Sequence, residues 1–130
     1  MIIVDDKLAL DALARRLVVG ETVATTWGFH FRLLRALEDE SRWGPLGRSA
    51  TADARRVAAD PPEATLRVLD PRSVTDEAAR LAVRHQLNLL AAELVASARR
   101  YRAAVHLSEP NVGRRWREVL AEEGITLTIV

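Results

Sequence analysis

The sequence predicts an α/β fold in three layers, a central and mainly parallel five-stranded sheet with helices on both sides. Two observations carry that prediction. The chain opens on Ile2-Ile3-Val4, an apolar, β-branched run of the kind a strand buried on both faces requires. From there to the C-terminus, short β-favouring runs alternate with segments of helical period, the pattern of βαβ crossovers. At 130 residues, with 48% hydrophobic and 28% charged side chains, the chain has the size and composition of one globular domain spanning 1–130.

The elements follow in order. After the first strand, Leu8, Leu10, Ala12, Leu13 and Leu17 form an apolar face and predict a helix over 8–17. Asp5, Asp6 and Asp11 lie near its start, where they complement the positive end of the helix dipole. Gly20 punctuates, and 22–25 reads as a second strand. Thr26 is a suitable cap for a helix over 27–38, in which Trp27, His30, Phe31, Leu34 and Leu37 recur at helical spacing. The polar stretch 39–49, with Gly44-Pro45 and Gly47, reads as a surface loop, followed by a modest helix over 50–59 that Asp60-Pro61-Pro62 ends. A third strand is expected over 65–69. The next helical region, from Ser73 or Thr75 to Tyr101, is long enough that a break is expected near 84–86. A fourth strand over 104–107, a last helix over 112–122 stopped by Gly124, and an alternating strand over 125–130 complete the chain.

Bulk composition excludes several classes. There is no cysteine, hence no disulfide framework and no thiolate zinc site, which suits a reducing cytoplasm. The opening residues do not have the pattern of a signal peptide, and no apolar run approaches membrane-spanning length, so no membrane partner is expected. Lys+Arg 19 against Asp+Glu 18 gives a net charge of +1, so no global field draws in nucleic acid. Lys7 is the single lysine, however, and every other basic residue is arginine, the side chain that grips phosphate with two donors. A coding bias toward arginine explains the same count.

Asp5 stands where ligands meet an open α/β sheet, just beyond the carboxyl end of the first strand. It is either a site residue or the cap of the first helix. Ile2 to Leu10, Val23 to Thr26 with Arg32 to Leu37, His85 to Leu94, and Val105 to Glu109 carry a likeness in order, length and local wording. Together they resemble the PIN domain, the nuclease fold of the VapC toxins of toxin–antitoxin pairs. The resemblance implies three or four carboxylates that hold one or two divalent ions at the strand ends. Matched position by position, Asp5 is kept; the glutamate's place falls on Arg32, and the second aspartate's on His85, or on Gln86 or Asn88 in a shifted register. The fourth falls on Glu109 or Pro110. An Arg32–Asp5 ion pair in the place of the metal is the expectation drawn from that match.

The candidate catalytic residues are therefore Asp5, His85 and Glu109, with Asp5 the only candidate metal ligand. Whether Glu38, Glu40 or Glu109 completes an acidic site is left open by the sequence. Arg32, Arg35, Arg114, Arg115 and Arg117 are the candidate nucleic-acid contacts. The last three stand at a helix start, where positive charge is unfavourable unless it faces phosphate or an acidic partner. Trp27, Phe29 and Phe31 are either core or a stacking platform for bases. The resemblance further implies RNA, an antitoxin or other small protein partner, and a homodimer. Two functions compete: a binding module with impaired or absent catalysis and no cofactor, and an active endoribonuclease toxin using Mg²⁺ or Mn²⁺. A receiver-like domain is a weaker third, since Asp70 is its sole phosphoacceptor candidate and no lysine follows.

Overall fold

The structure, a computed structural model, describes residues 1–17, 19–39 and 44–130, with the backbone alone over 44–51. Five strands, β1 (Ile2–Val4), β2 (Val23–Thr25), β3 (Arg67–Val68), β4 (Ala104–Leu107) and β5 (Leu127–Ile129), form one sheet in the order β3-β2-β1-β4-β5. Every pairing is parallel. Helices α1 (Asp6–Leu13), α2 (Trp27–Glu38), α3 (Gly44–Ala59), α4 (Thr75–His85), α5 (Leu89–Tyr101) and α6 (Arg114–Glu122) make the crossovers.

Alternation along the strands divides the core in two. Ile2, Val4 and Val23 face Leu8, Ala12, Leu33, Leu37 and Ala58 of the α1–α3 layer. Ile3, Ala24 and Val105 face Val74, Leu81, Leu94 and Val119 of the α4–α6 layer, joined by Phe29 from the start of α2. These are the opposite faces that a two-residue period dictates. The predicted three-layer arrangement is the observed one.

Several boundaries differ from expectation, each for a local reason. The first helix ends at Leu13 rather than Leu17, because Arg15 takes a left-handed φ of 57°. Residues 44–49, expected in a loop, are the first turns of α3; Pro45 fits there because a helix's opening turn needs no donor from it. The third strand is cut to two residues, since the N–H groups of Thr65 and Leu66 both bond to the Pro62 carbonyl in a turn. The break in the long helical region is present: Gln86 turns left-handed at φ 55°, and Asn88 caps α5 by accepting from the Ala91 N–H at 2.9 Å. Pro110 is the second residue of a short 3-10 turn over Glu109–Asn111, and α6 begins only at Arg114.

The order of strands fixes where a site belongs. The chain leaves β1 toward β2 and β3, then returns to place β4 on the other side of β1. That reversal opens a crevice beyond the carboxyl ends of β1 and β4. Asp5 directly follows β1 and Ser108 directly follows β4, and the two meet across it.

Candidate functional site

Asp5 is wholly buried, and its surroundings are made by two local devices. As the cap of α1 it accepts the Leu8 N–H on Oδ1 at 2.9 Å. The turn after β4 supplies the rest. Ser108 donates to Asp5 Oδ2 from its backbone N–H at 2.7 Å and from its hydroxyl at 2.6 Å, and Asn111 Nδ2 donates at 3.0 Å. The 3-10 turn winds position 111 back beside 108, since side chains three apart eclipse in that geometry. Three donors thus crowd Oδ2 and one holds Oδ1, so four protein groups share the carboxylate.

Asn111 is the hinge of a larger network. Its Nδ2 also donates to Asp6 Oδ1 at 2.9 Å, while its Oδ1 accepts from Arg32 Nη2 at 3.3 Å. Its amide orientation follows from its partners, because two carboxylates demand the NH₂ and a guanidinium demands the oxygen. Arg32 Nε lies 3.5 Å from Asp6 Oδ2, and its guanidinium lies over the Phe29 ring at 5.8 Å.

The expected Arg32–Asp5 ion pair is therefore corrected: Arg32 pairs with Asp6 and reaches Asp5 only through Asn111. Asp5 is turned inward by its cap and by Ser108, which leaves the neighbouring Asp6 as the acid open to a cation. Asp6, Arg32 and Arg35 line a groove of about 430 Å³ with Ala36, Glu38 and Asp39. Glu38 is held by Arg55 at 2.9 Å, and Arg35 is exposed with no ion pair among the described residues.

His85 is not gathered with Asp5. Its Nε2 lies 2.7 Å from Glu123 Oε1 and its Nδ1 3.4 Å from Glu122 Oε2, tying the end of α4 to the end of α6. Arg99 Nη1 reaches Glu123 Oε2 at 2.8 Å, and Arg84 Nη1 reaches Oε1 at 3.3 Å. The His85 hydrogen bond, then the Arg99 and Arg84 charges, hold the Glu123 carboxyl below the usual glutamate value, against the opposing effect of burial. The residue that heads α5 is Asn88, the shifted-register alternative, and it is spent on capping. Glu109 is exposed on the 3-10 turn with no ion pair among the described residues. Glu40 lies outside the described residues.

The remaining candidates find mundane partners. Arg114 pairs with Glu118 one turn on at 3.0 Å, and Arg115 donates to the His85 carbonyl at 2.6 Å, whereas Arg117 is exposed with no ion pair among the described residues. His30 Nε2 lies 2.6 Å from the Ala58 carbonyl and joins α2 to α3. Asp70 caps the short 3-10 turn Pro71–Ser73 and holds Arg72 at 2.8 Å. Phe29 is core, while Trp27 and Phe31 are exposed and stacked on each other at 5.8 Å.

The residues at the β1–β4 crevice do not fit a divalent ion. Mg²⁺ and Mn²⁺ need free carboxylate or carbonyl lone pairs, and here an amide NH₂, a hydroxyl, a backbone N–H and a guanidinium point at the acids instead. Among the described residues, no three His, Asp or Glu side chains are grouped so as to hold a metal. Neither Asn111 nor Ser108 stands among the sequence-predicted site residues; the signal available was the Ser-x-x-Asn spacing after a strand that must lie beside β1. No helix among the described residues is long and apolar enough to cross a membrane. In comparisons with known proteins, no family model matches this chain and no curated protein matches it.

Proposed function

We propose that this chain is a PIN-like domain that works by binding RNA through its arginines, and that it does not cleave RNA by the metal-dependent route the resemblance implies. One observation carries the second half: three protein donors converge on Asp5 Oδ2, two of them from Ser108, while the Leu8 N–H holds Oδ1 of the same fully buried carboxylate. A metal at Oδ2 would have to displace the Asn111 amide or a Ser108 donor and leave that group without its acceptor, which is unfavourable. The first half rests on the resemblance together with the exposed Arg35 beside the crevice and the exposed Arg117 on α6, both without ion pairs among the described residues. A small protein partner of the antitoxin kind, a homodimer and a cytoplasmic setting belong to the same reading.

Fluorescence anisotropy with a structured RNA, read across a salt series beside a cleavage assay in Mn²⁺, tests both halves. Binding whose log K falls linearly with log salt, with a shallower slope in Arg35→Ala/Arg117→Ala, is the expected result. Cleavage by the wild type that a chelator abolishes and Asp5→Asn removes establishes the active endoribonuclease instead. Binding indifferent to salt and to both arginines sinks the RNA reading.

A further inference from the structure

We infer that the groove between α2, α4 and α5 is a binding site for a small organic amine with an apolar body, held by Glu93. Glu93 is 6% exposed and makes no ion pair among the described residues. Its Oε1 accepts the Gly28 N–H at 2.8 Å, at the start of α2, where the helix dipole favours a negative charge. A carboxylate has about four acceptor positions, so most remain. Every fully buried side-chain nitrogen or oxygen among the described residues has a hydrogen-bond partner. Oε2 has none, so it is not fully buried, and Glu93 is a lining residue of the groove.

The groove has the chemistry to match. Its volume of about 470 Å³ lies within the range of small-molecule pockets. Trp27, Val74, Ala78, Ala82 and Leu89 line it, and Glu93 is the one charged lining residue. The hydroxyl of the lining Thr75 is already donated to the Pro71 carbonyl at 2.7 Å. A ligand that enters meets apolar walls and one carboxylate, which selects an ammonium on an apolar frame. Trp27 is 48% exposed and braced by Phe31, so its ring is available to a cation as well. Gly28 is part of the site: a Cβ there would lie 2.9 Å from both Glu93 Oε1 and Leu90 Cδ1, so only glycine lets the carboxylate reach the α2 amide.

Titration of the full chain with phenethylammonium, followed by amide NMR and calorimetry, tests the assignment, with phenethyl alcohol as the uncharged counterpart. Expected are saturable shifts at Gly28 and Glu93, and binding of the amine roughly tenfold tighter than the alcohol, the size of effect a charged hydrogen bond gives. Glu93→Gln should erase that preference, and Trp27→Ala, at an exposed position, should weaken the amine several-fold. If Glu93→Gln does not fold, the amine–alcohol comparison in the wild type and the Trp27→Ala titration decide. Absence of saturation, equal binding of amine and alcohol, or a preference that survives in folded Glu93→Gln overturns the proposal. So does tenfold tighter binding of acetyl-Leu-Lys-Leu-amide, which would assign the groove to a lysine of a protein partner.

Discussion

Asp5 and Glu123 are both carboxylates withdrawn from water, and they are held in opposite ways. Asp5, with no exposure at all, is surrounded by neutral donors from its own helix start and from the turn after β4. Glu123, whose side chain is 10% exposed, gathers an imidazole and two guanidiniums from α4 and α5. The first arrangement ties two strand ends together through directional hydrogen bonds. The second staples three helices through charge. A buried acid at a sheet edge is thus not by itself a reactive group: what decides is whether its lone pairs are left for a ligand.

Removing Asp5 should have the largest effect. Asp5→Ala leaves the N–H groups of Leu8 and Ser108, the Ser108 hydroxyl and the Asn111 amide without their acceptor, and we expect a loss of about 3–5 kcal/mol in urea unfolding. An acid crowded by other acids behaves in reverse, because its removal relieves repulsion. Stability unchanged or raised in Asp5→Ala would therefore make this edge an acidic site after all.

Glu123→Gln should rank second, at about 2 kcal/mol, since the pairs it breaks are partly open to solvent. The comparison is sharper in its pH dependence. Because the folded structure holds Glu123 below its ordinary value of 4.5, its contribution is complete above that value and is lost as pH falls through the lowered one. Unfolding curves taken from neutral pH downward should steepen in this acid range for the wild type and flatten in Glu123→Gln. Equal acid limbs in the two proteins would mean that the His85 hydrogen bond and the charges on Arg99 and Arg84 do not hold the carboxylate low.

How far each region was legible follows from the same contrast. The strand Ile2–Val4, the cap Thr26 and the placing of Asp5 beyond β1 are local signals, carried by β-branching, side-chain type and adjacency in sequence. The α3 turns over 44–49 were hidden because Gly, Pro and polar residues suit a loop and a helix start alike. His85 looked like a partner for Asp5 because alignment along a helix cannot say which neighbour its side chain meets; three residues of register separate it from Asn88, the true head of α5. The Glu123 staple and the Glu93–Gly28 bond join residues 24 to 65 positions apart, and nothing in spacing announces them.

Asn111→Asp should come third and act on chemistry as well as on stability. It replaces the amide that satisfies Asp5 and Asp6 with a third carboxylate, at a cost of about 1–2 kcal/mol from lost hydrogen bonds and added repulsion. Three acids beside one another are also what a divalent ion needs. Saturating Mn²⁺ should then return about 2–3 kcal/mol to the variant in thermal unfolding, as for a ligand at about a hundred times its dissociation constant, and leave the wild type unmoved. A wild type equally stabilised by Mn²⁺ would show that Asn111 is no barrier to the metal.

The smallest effect should fall on Arg32, and it separates the two regions most finely. Its side chain is 41% exposed, its ion pair with Asp6 is 3.5 Å long, and its other contacts are one amide oxygen and the face of Phe29. Such a pair is screened, so Arg32→Ala should cost no more than about 1 kcal/mol, and an Arg32→Ala/Asp6→Ala double-mutant cycle should give a coupling of about 0.5 kcal/mol that fades with added salt. The Arg99–Glu123 cycle should give the larger value and resist salt, because Glu123 is shielded where Asp6 is open to the groove. If the Arg32 coupling proved the larger, the crevice would be held by charge like the helical staple, and Asn111 would be a bystander to a direct Arg32–acid bond.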